Sequence, residues 1–199
     1  MAALVLRFTR TERAAHWLTA GAFFSMLASG LLVGRRGTFH NVMYAWHLAS
    51  AAILVVGLGL LSLGGDRRAL RRSARDLTRI EPRDRAWLAS VPAQLRRARQ
   101  APAIGRFNAG QKVNFIAVSA LLAVLLISGI DTIVAGTQGN LVFGLHKVAT
   151  ITLCVLVGGH LYMALVNRGT RPALRGMLTG KVDRDWAQAH HADWRTDDE

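Results

Sequence analysis

The chain has 199 residues, half of them apolar, and carries 25 Lys and Arg against 12 Asp and Glu, a net charge of +13. Soluble domains intermix apolar and charged residues, whereas here the two separate along the chain, which excludes an ordinary water-soluble core. The positive charge lies in the connections between oily runs rather than along an aromatic-studded groove, which excludes a nucleic-acid-binding face.

The first oily run follows Arg7, Arg10 and Arg13 and holds no Asp, Glu, Lys or Arg over residues 14–34. It is longer than a signal-peptide core, and "SMLASG" is a feeble cleavage site, so it reads as a retained membrane helix. A second run covers residues 37–65, a third 113–130 and a fourth 148–167, each near or above the length that crosses a bilayer. Between the second and third, residues 65–112 hold 13 Lys and Arg against four acids. The positive-inside rule places this stretch in the cytoplasm, together with the arginines at the start and those at 168, 171 and 175. The opposite connections, "RRGTFHN" and "AGTQGNLVFG", are short. The prediction is an all-α integral membrane protein, a four-helix transmembrane bundle with both termini cytoplasmic. Residues 1–168 form the bundle with its basic loop (about 65–112), and 169–199 form a cytoplasmic tail.

The basic loop reads as amphipathic, partly helical surface structure broken by Pro82 and Pro92, able to lie on anionic lipid or to serve as a solvated linker. The polar tail carries Trp186, Trp194, His190 and His191. The single cysteine, Cys154, sits mid-run and reads as a packing residue. No internal repeat stands out.

Four histidines lie in the predicted helices: His16, His47, His146, which starts the fourth, and His160. Helical rise puts His146 and His160, fourteen residues apart, on one face of the fourth helix and about 21 Å apart. With the orientation above, His16 and His160 share the cytoplasmic level, and His47 and His146 share the outer one. His40 lies outside the hydrocarbon and is left out. Ionisable residues inside a membrane are functional candidates, and two level-matched imidazole pairs suit two b-type haems, each iron held from opposite sides. Zinc would need four clustered ligands, and each level offers two. Gly21, Gly30, Gly158 and Gly159 give a flat macrocycle room to approach, or serve plain helix packing. Arg13, Arg35 and Arg36 stand as propionate partners or as interface anchors.

The motifs "RFTRTERAAHW", "HLA", "RFNAGQKVNF" and the His146/His160 pair ending in "HLY" resemble the cytochrome b (gamma) subunit of membrane-bound formate dehydrogenases. The wider family includes the cytochrome b subunits of hydrogenases and thiosulfate reductases. The resemblance covers most of residues 4–168 and implies a bacterial inner-membrane subunit with two haem b. One haem, near the periplasm, is held by His47 and His146, and the other by His16 and His160. It further implies a quinone site (menaquinone or ubiquinone) on Asn108, Gly110 and Gln111, beside the cytoplasmic haem. The implied partners are an iron–sulfur beta subunit and a molybdenum or tungsten catalytic alpha subunit, with no nucleic acid. Asn108 can also be a plain helix cap. Two rival readings are a stand-alone di-haem cytochrome b that exchanges electrons with quinone, and a haem-free anchor or transporter whose histidines relay protons.

Overall fold

A computed structural model describes residues 3–33, 37–95, 102–135 and 141–194. Arg35, Arg36 and the end of the tail lie outside the described residues. In chain order the elements are β1 (Leu4–Leu6), α1 (Arg10–Leu32), α2 (Thr38–Gly64), α3 (Arg67–Thr78), α4 (Pro82–Leu95), α5 (Ala109–Ala135), α6 (Leu141–Leu161), α7 (Leu174–Thr179), β2 (Lys181–Asp183) and α8 (Arg184–His190). The helix α6 runs on through a π-helical turn, Tyr162–Val166, directly after His160. Four helices are long and apolar enough to cross a membrane: α1, α2, α5, and α6 with its π turn. Their outward faces are oily. Leu31, Val134 and Leu141 are 77%, 81% and 89% exposed, an arrangement that suits lipid and not water.

The chain divides into two compact units, Thr9–Arg71 and Met1–Phe8 with Arg72–Glu199. In the first, Thr9 and Glu12 close a reciprocal capping box that starts α1. Glu12 N donates to Thr9 Oγ1 at 3.3 Å, and Thr9 N donates to Glu12 Oε2 at 2.7 Å. The helices α1 and α2 then run antiparallel. Asp66 N, just past α2, donates to Thr11 Oγ1 at 3.0 Å near the start of α1. Gly57 permits close approach, since a Cβ there would lie 2.6 Å from Leu18 Cδ2. A polar ladder links the same two helices: Trp46 Nε1 donates to Ser25 Oγ at 2.8 Å, and Ser25 Oγ lies 2.8 Å from Ser50 Oγ. In a bilayer, where apolar burial gives no drive, such small residues and hydroxyl bonds hold helices together.

The second unit contains the α5–α6 hairpin, and the basic stretch packs onto it through α4. Asp84, in the first turn of α4, accepts from Glu81 N at 2.8 Å and from Lys112 Nζ at 2.7 Å. Lys112 Nζ also donates to the Arg79 carbonyl at 3.0 Å. Both side chains of this ion pair are buried. Proline at 92 does not break the helix as the sequence suggests: it lies inside α4, three residues before its end, and only Pro82 marks a boundary, as the first helical residue.

The tail of this unit is folded. Strand β2 pairs antiparallel with β1, Val182 opposite Val5, and both valines are fully buried with Ala187 beside Trp186 and Trp194. Arg7 and Arg106 join the start of the chain to the start of α5 reciprocally. Arg7 Nη2 donates to the Arg106 carbonyl at 3.1 Å, and Arg106 Nη2 donates to the Arg7 carbonyl. The adjoining Phe8 and Phe107 rings lie 6.1 Å apart. His191 completes the joint, with Nδ1 donating to the Gly105 carbonyl at 2.8 Å and Nε2 accepting from Arg7 Nη2 at 3.2 Å. Burial and the Arg7 charge push the His191 imidazole down to about 4, and burial with the nearby Arg106 charge pushes Arg7 down to about 10.

Candidate functional site

In the first unit His16 lies two turns into α1, its ring edge-on to Trp17 at 5.2 Å. His47 lies on α2 and meets the far part of α1. Its Nδ1 is 3.0 Å from the Met26 carbonyl and 3.2 Å from Ser29 Oγ, and a Cβ on Gly30 would sit 3.4 Å from the ring. A carbonyl can only accept, so Nδ1 carries the proton and Nε2 keeps its lone pair. Thirteen residues of α1 separate His16 from Ser29, about 20 Å of helix. The first unit thus holds two imidazoles at two depths.

The second unit holds two more on α6. His146 meets α5, where Nδ1 lies 2.9 Å from Ser128 Oγ and a Cβ on Gly129 would sit 3.7 Å from the ring. Ser128 Oγ is 2.6 Å from the Val124 carbonyl, its own helix's acceptor four residues back. With its one proton committed there, the hydroxyl accepts from Nδ1–H, and Nε2 of His146 is again the lone-pair nitrogen. His160 stands about 21 Å further along α6. A Cβ on Gly158 or Gly159 would meet nothing within 4 Å, so the backbone before His160 is open to a flat ligand.

His40 is engaged elsewhere, its Nδ1 on the Val33 carbonyl and its ring stacked 6.2 Å from Tyr44. Among the described residues there is no cluster of three or more His, Cys, Asp or Glu that could hold a metal ion.

At the start of α5, Asn108 and Gln111 form a second reciprocal cap. Gln111 N donates to Asn108 Oδ1 at 2.8 Å, and Asn108 N donates to Gln111 Oε1 at 2.9 Å. The cap uses both side-chain oxygens and leaves the amide N–H groups, Nδ2 and Nε2, without a partner among the described residues. Gly110 between them is tight, since a Cβ would lie 3.3 Å from Asn108 Oδ1 and 3.4 Å from Trp87 Cη2. Trp87 of α4 therefore walls one side of this cap. Nothing in the loop sequence singles it out, because its place depends on the Asp84–Lys112 pair that docks α4.

The two histidine contacts also correct the expectation of no internal repeat. Ser29 lies 18 residues before His47, and Ser128 lies 18 residues before His146. Arg7 and Arg106, which bond each other's carbonyls, are 99 residues apart. At that same offset Phe8 matches Phe107, Thr9 and Glu12 match Asn108 and Gln111 as capping pairs, Ser29–Gly30 matches Ser128–Gly129, and His47 matches His146. Leu54, Val56 and Gly59 match Leu153, Val155 and Gly158 at the same offset, while most of the oily residues between these marks differ.

Comparison with known proteins gives the following. The profile of the family described as prokaryotic cytochrome b561 matches residues 7–180. The cytochrome b556(Fdn) subunit of the nitrate-inducible formate dehydrogenase of Escherichia coli (strain K12) is 26% identical over 207 residues, covering 96% of this chain and 90% of that protein. The cytochrome b556(fdo) subunit of a formate dehydrogenase from the same organism is 28% identical over 201 residues, covering 96% and 91%.

Proposed function

The chain belongs to the prokaryotic cytochrome b561 family, and from that premise we propose that it is the di-haem membrane subunit of a formate dehydrogenase, conveying electrons from a periplasmic iron–sulfur partner to quinone. As a member of a b-type cytochrome family it is a multi-pass membrane electron-transfer protein, and the rest of the reading is argued from its own residues.

Haem, when bound, supplies reversible one-electron chemistry that no side chain here offers. His47 and His146 would hold one haem and His16 and His160 the other, one imidazole from each unit in each case. Three observations support this. The histidine spacing in the two units agrees, about 20 Å along α1 and about 21 Å along α6. The Nδ1 bonds of His47 and His146 leave Nε2 as the ligating nitrogen in both. The apolar helices would keep water from the macrocycles. The first of these carries the proposal, because a bundle with packing histidines has no reason to repeat one spacing on separate hairpins.

Quinone would bind where α5 begins. Asn108 Nδ2 and Gln111 Nε2 are donors left over from the cap, and Gly110 brings backbone close between them. Such N–H groups, with the helix N-terminal end behind them, stabilise a carbonyl oxygen as it gains electron density and a proton. With this end cytoplasmic, the two protons of quinone reduction would come from the cytoplasm while electrons come from outside, and turnover would charge the membrane. Both relatives are named as formate dehydrogenase subunits, which supports an iron–sulfur subunit and a molybdenum or tungsten catalytic subunit as partners and formate as their substrate.

The test is a haem assay on the purified chain with an inventory of what travels with it. Two haem b per chain, together with an iron–sulfur protein and a molybdenum or tungsten protein, is the expected result. A folded, colourless preparation made with ample haem would overturn the proposal.

A further inference from the structure

We infer that Ser29 and Ser128 are positioning residues for the proposed haem on His47 and His146, one device present twice through an internal duplication. This rests on that haem reading. Each serine lies one helix away from its histidine, 18 residues before it, with a glycine next in sequence and the ring Nδ1 within 3.2 Å of the hydroxyl. Each hydroxyl sits close to a carbonyl of its own helix, Ser29 Oγ 2.9 Å from the Ser25 oxygen and Ser128 Oγ 2.6 Å from the Val124 oxygen. Its single proton goes to that carbonyl, so what it offers the imidazole is a lone pair; at His47 the Met26 carbonyl, 3.0 Å from Nδ1, is a second and nearer acceptor. The adjoining glycine lets the ring lie close against the helix that carries the serine.

A serine that merely fills space between helices would show neither the shared 18-residue spacing nor the same ring atom at both contacts. An acceptor on the far nitrogen of a ligating imidazole does three things. It fixes which nitrogen meets the metal, it stops the ring rotating about its bond to Cβ, and it makes the metal-bound nitrogen more basic. The last effect stabilises the ferric over the ferrous state and lowers the reduction potential. Since the two serines address the two histidines that would hold one haem, their effects would fall on that haem and leave the other alone. The duplication explains why both ligands are set the same way: the hairpin carried serine, glycine and histidine together, and each copy kept them.

The test is a redox titration with low-spin EPR on the intact complex, for Ser29→Ala, Ser128→Ala, the double variant and the two Ser→Thr variants. Alanine is a good helix former and removes only the hydroxyl, so the helices should stand. The expected result is an upward potential shift of one haem in each single Ala variant, smaller for Ser29→Ala because the Met26 carbonyl still accepts from His47 Nδ1, a larger shift of that same haem in the double, and an altered EPR signal. The second haem should stay unmoved, and Ser→Thr, which returns the hydroxyl, should restore the wild-type potential. Unchanged potentials in a double Ala variant that keeps both haems would overturn the inference and leave the haem assignment standing. Shifts falling on different haems would overturn both the inference and the His47/His146 pairing. Wild-type protein without haem would remove the reading beneath it.

Discussion

The hairpins α1–α2 and α5–α6 share a pattern of matched positions, and their differences are as informative as their likenesses. Where serine and glycine meet histidine they match position for position, although only His47 also meets a backbone carbonyl, that of Met26. At the opposite end they diverge. The first copy places a histidine on its first helix, His16, where the second copy has Phe115. The second copy places one on its second helix, His160, where the first has Leu61. Under the proposed ligation each copy keeps one inner ligand, from a different helix, and the inner site loses the symmetry that the outer site retains. The start of α5 is correspondingly released from ligand duty, and its cap is the place where quinone is proposed to bind. Under that reading, symmetric positions would serve a group that needs two similar grips, and the broken ones would leave room for a substrate.

The sharpest way to break this comparison is at the ion pair of the second hairpin. Lys112, at the position of Arg13 in the first copy, meets the buried Asp84 of a docked loop helix. Asp84→Ala leaves the ammonium buried without its counter-charge, which costs about 3–5 kcal/mol. Hydrogen exchange should show α4 losing most of its protection while α1 and α2 are unchanged.

Next in size is the folded tail, where His191 meets Arg7 and the backbone before α5. The His191 pKa of about 4 lies below the ordinary 6.5, so the undocked tail takes up a proton first as pH falls. Docking is complete above about pH 6.5 and weakens progressively towards pH 4, by roughly 3 kcal/mol over the whole window. Trp186, which touches the His191 ring at 5.5 Å, reports it by fluorescence. His191→Gln should flatten the pH dependence.

The two caps separate structure from chemistry. Asn108→Asp and Gln111→Glu keep the oxygens that close the cap and remove the amide N–H groups. They should lower quinone reduction about tenfold each, the loss of about 1.4 kcal/mol of hydrogen bonding, with little change in melting temperature. Thr9→Ala in the first copy is the mirror case. It should cost about 1 kcal/mol of stability, read by chemical denaturation, and leave the quinone kinetics alone.

Much of this was legible in the sequence, for identifiable reasons. The four spans stand out because lipid demands long charge-free runs, and the four histidines because few other ionisable residues lie there. Asn108 and Gln111 were visible as a motif, but the division of labour between their oxygens and nitrogens was not, since it depends on which atom the helix end uses. Ser29 and Ser128 look like ordinary small residues until a histidine 18 positions on is seen to meet them. The 99-residue repeat was missed because its identities are few and scattered, and the oily residues between them are interchangeable. Pro92 misled because a proline near a helix end can sit inside it, and the folding of the tail onto β1 depends on pairing strands at opposite ends of the chain.

The central claim, that each of two irons takes one imidazole from each hairpin, is tested most directly by haem content in paired histidine variants. His47→Ala with His146→Ala should retain one haem per chain, as each single variant does, because both changes strike one site. His47→Ala with His160→Ala should retain none. If the first pair lost both haems while the second kept one, the pairing proposed here would be wrong.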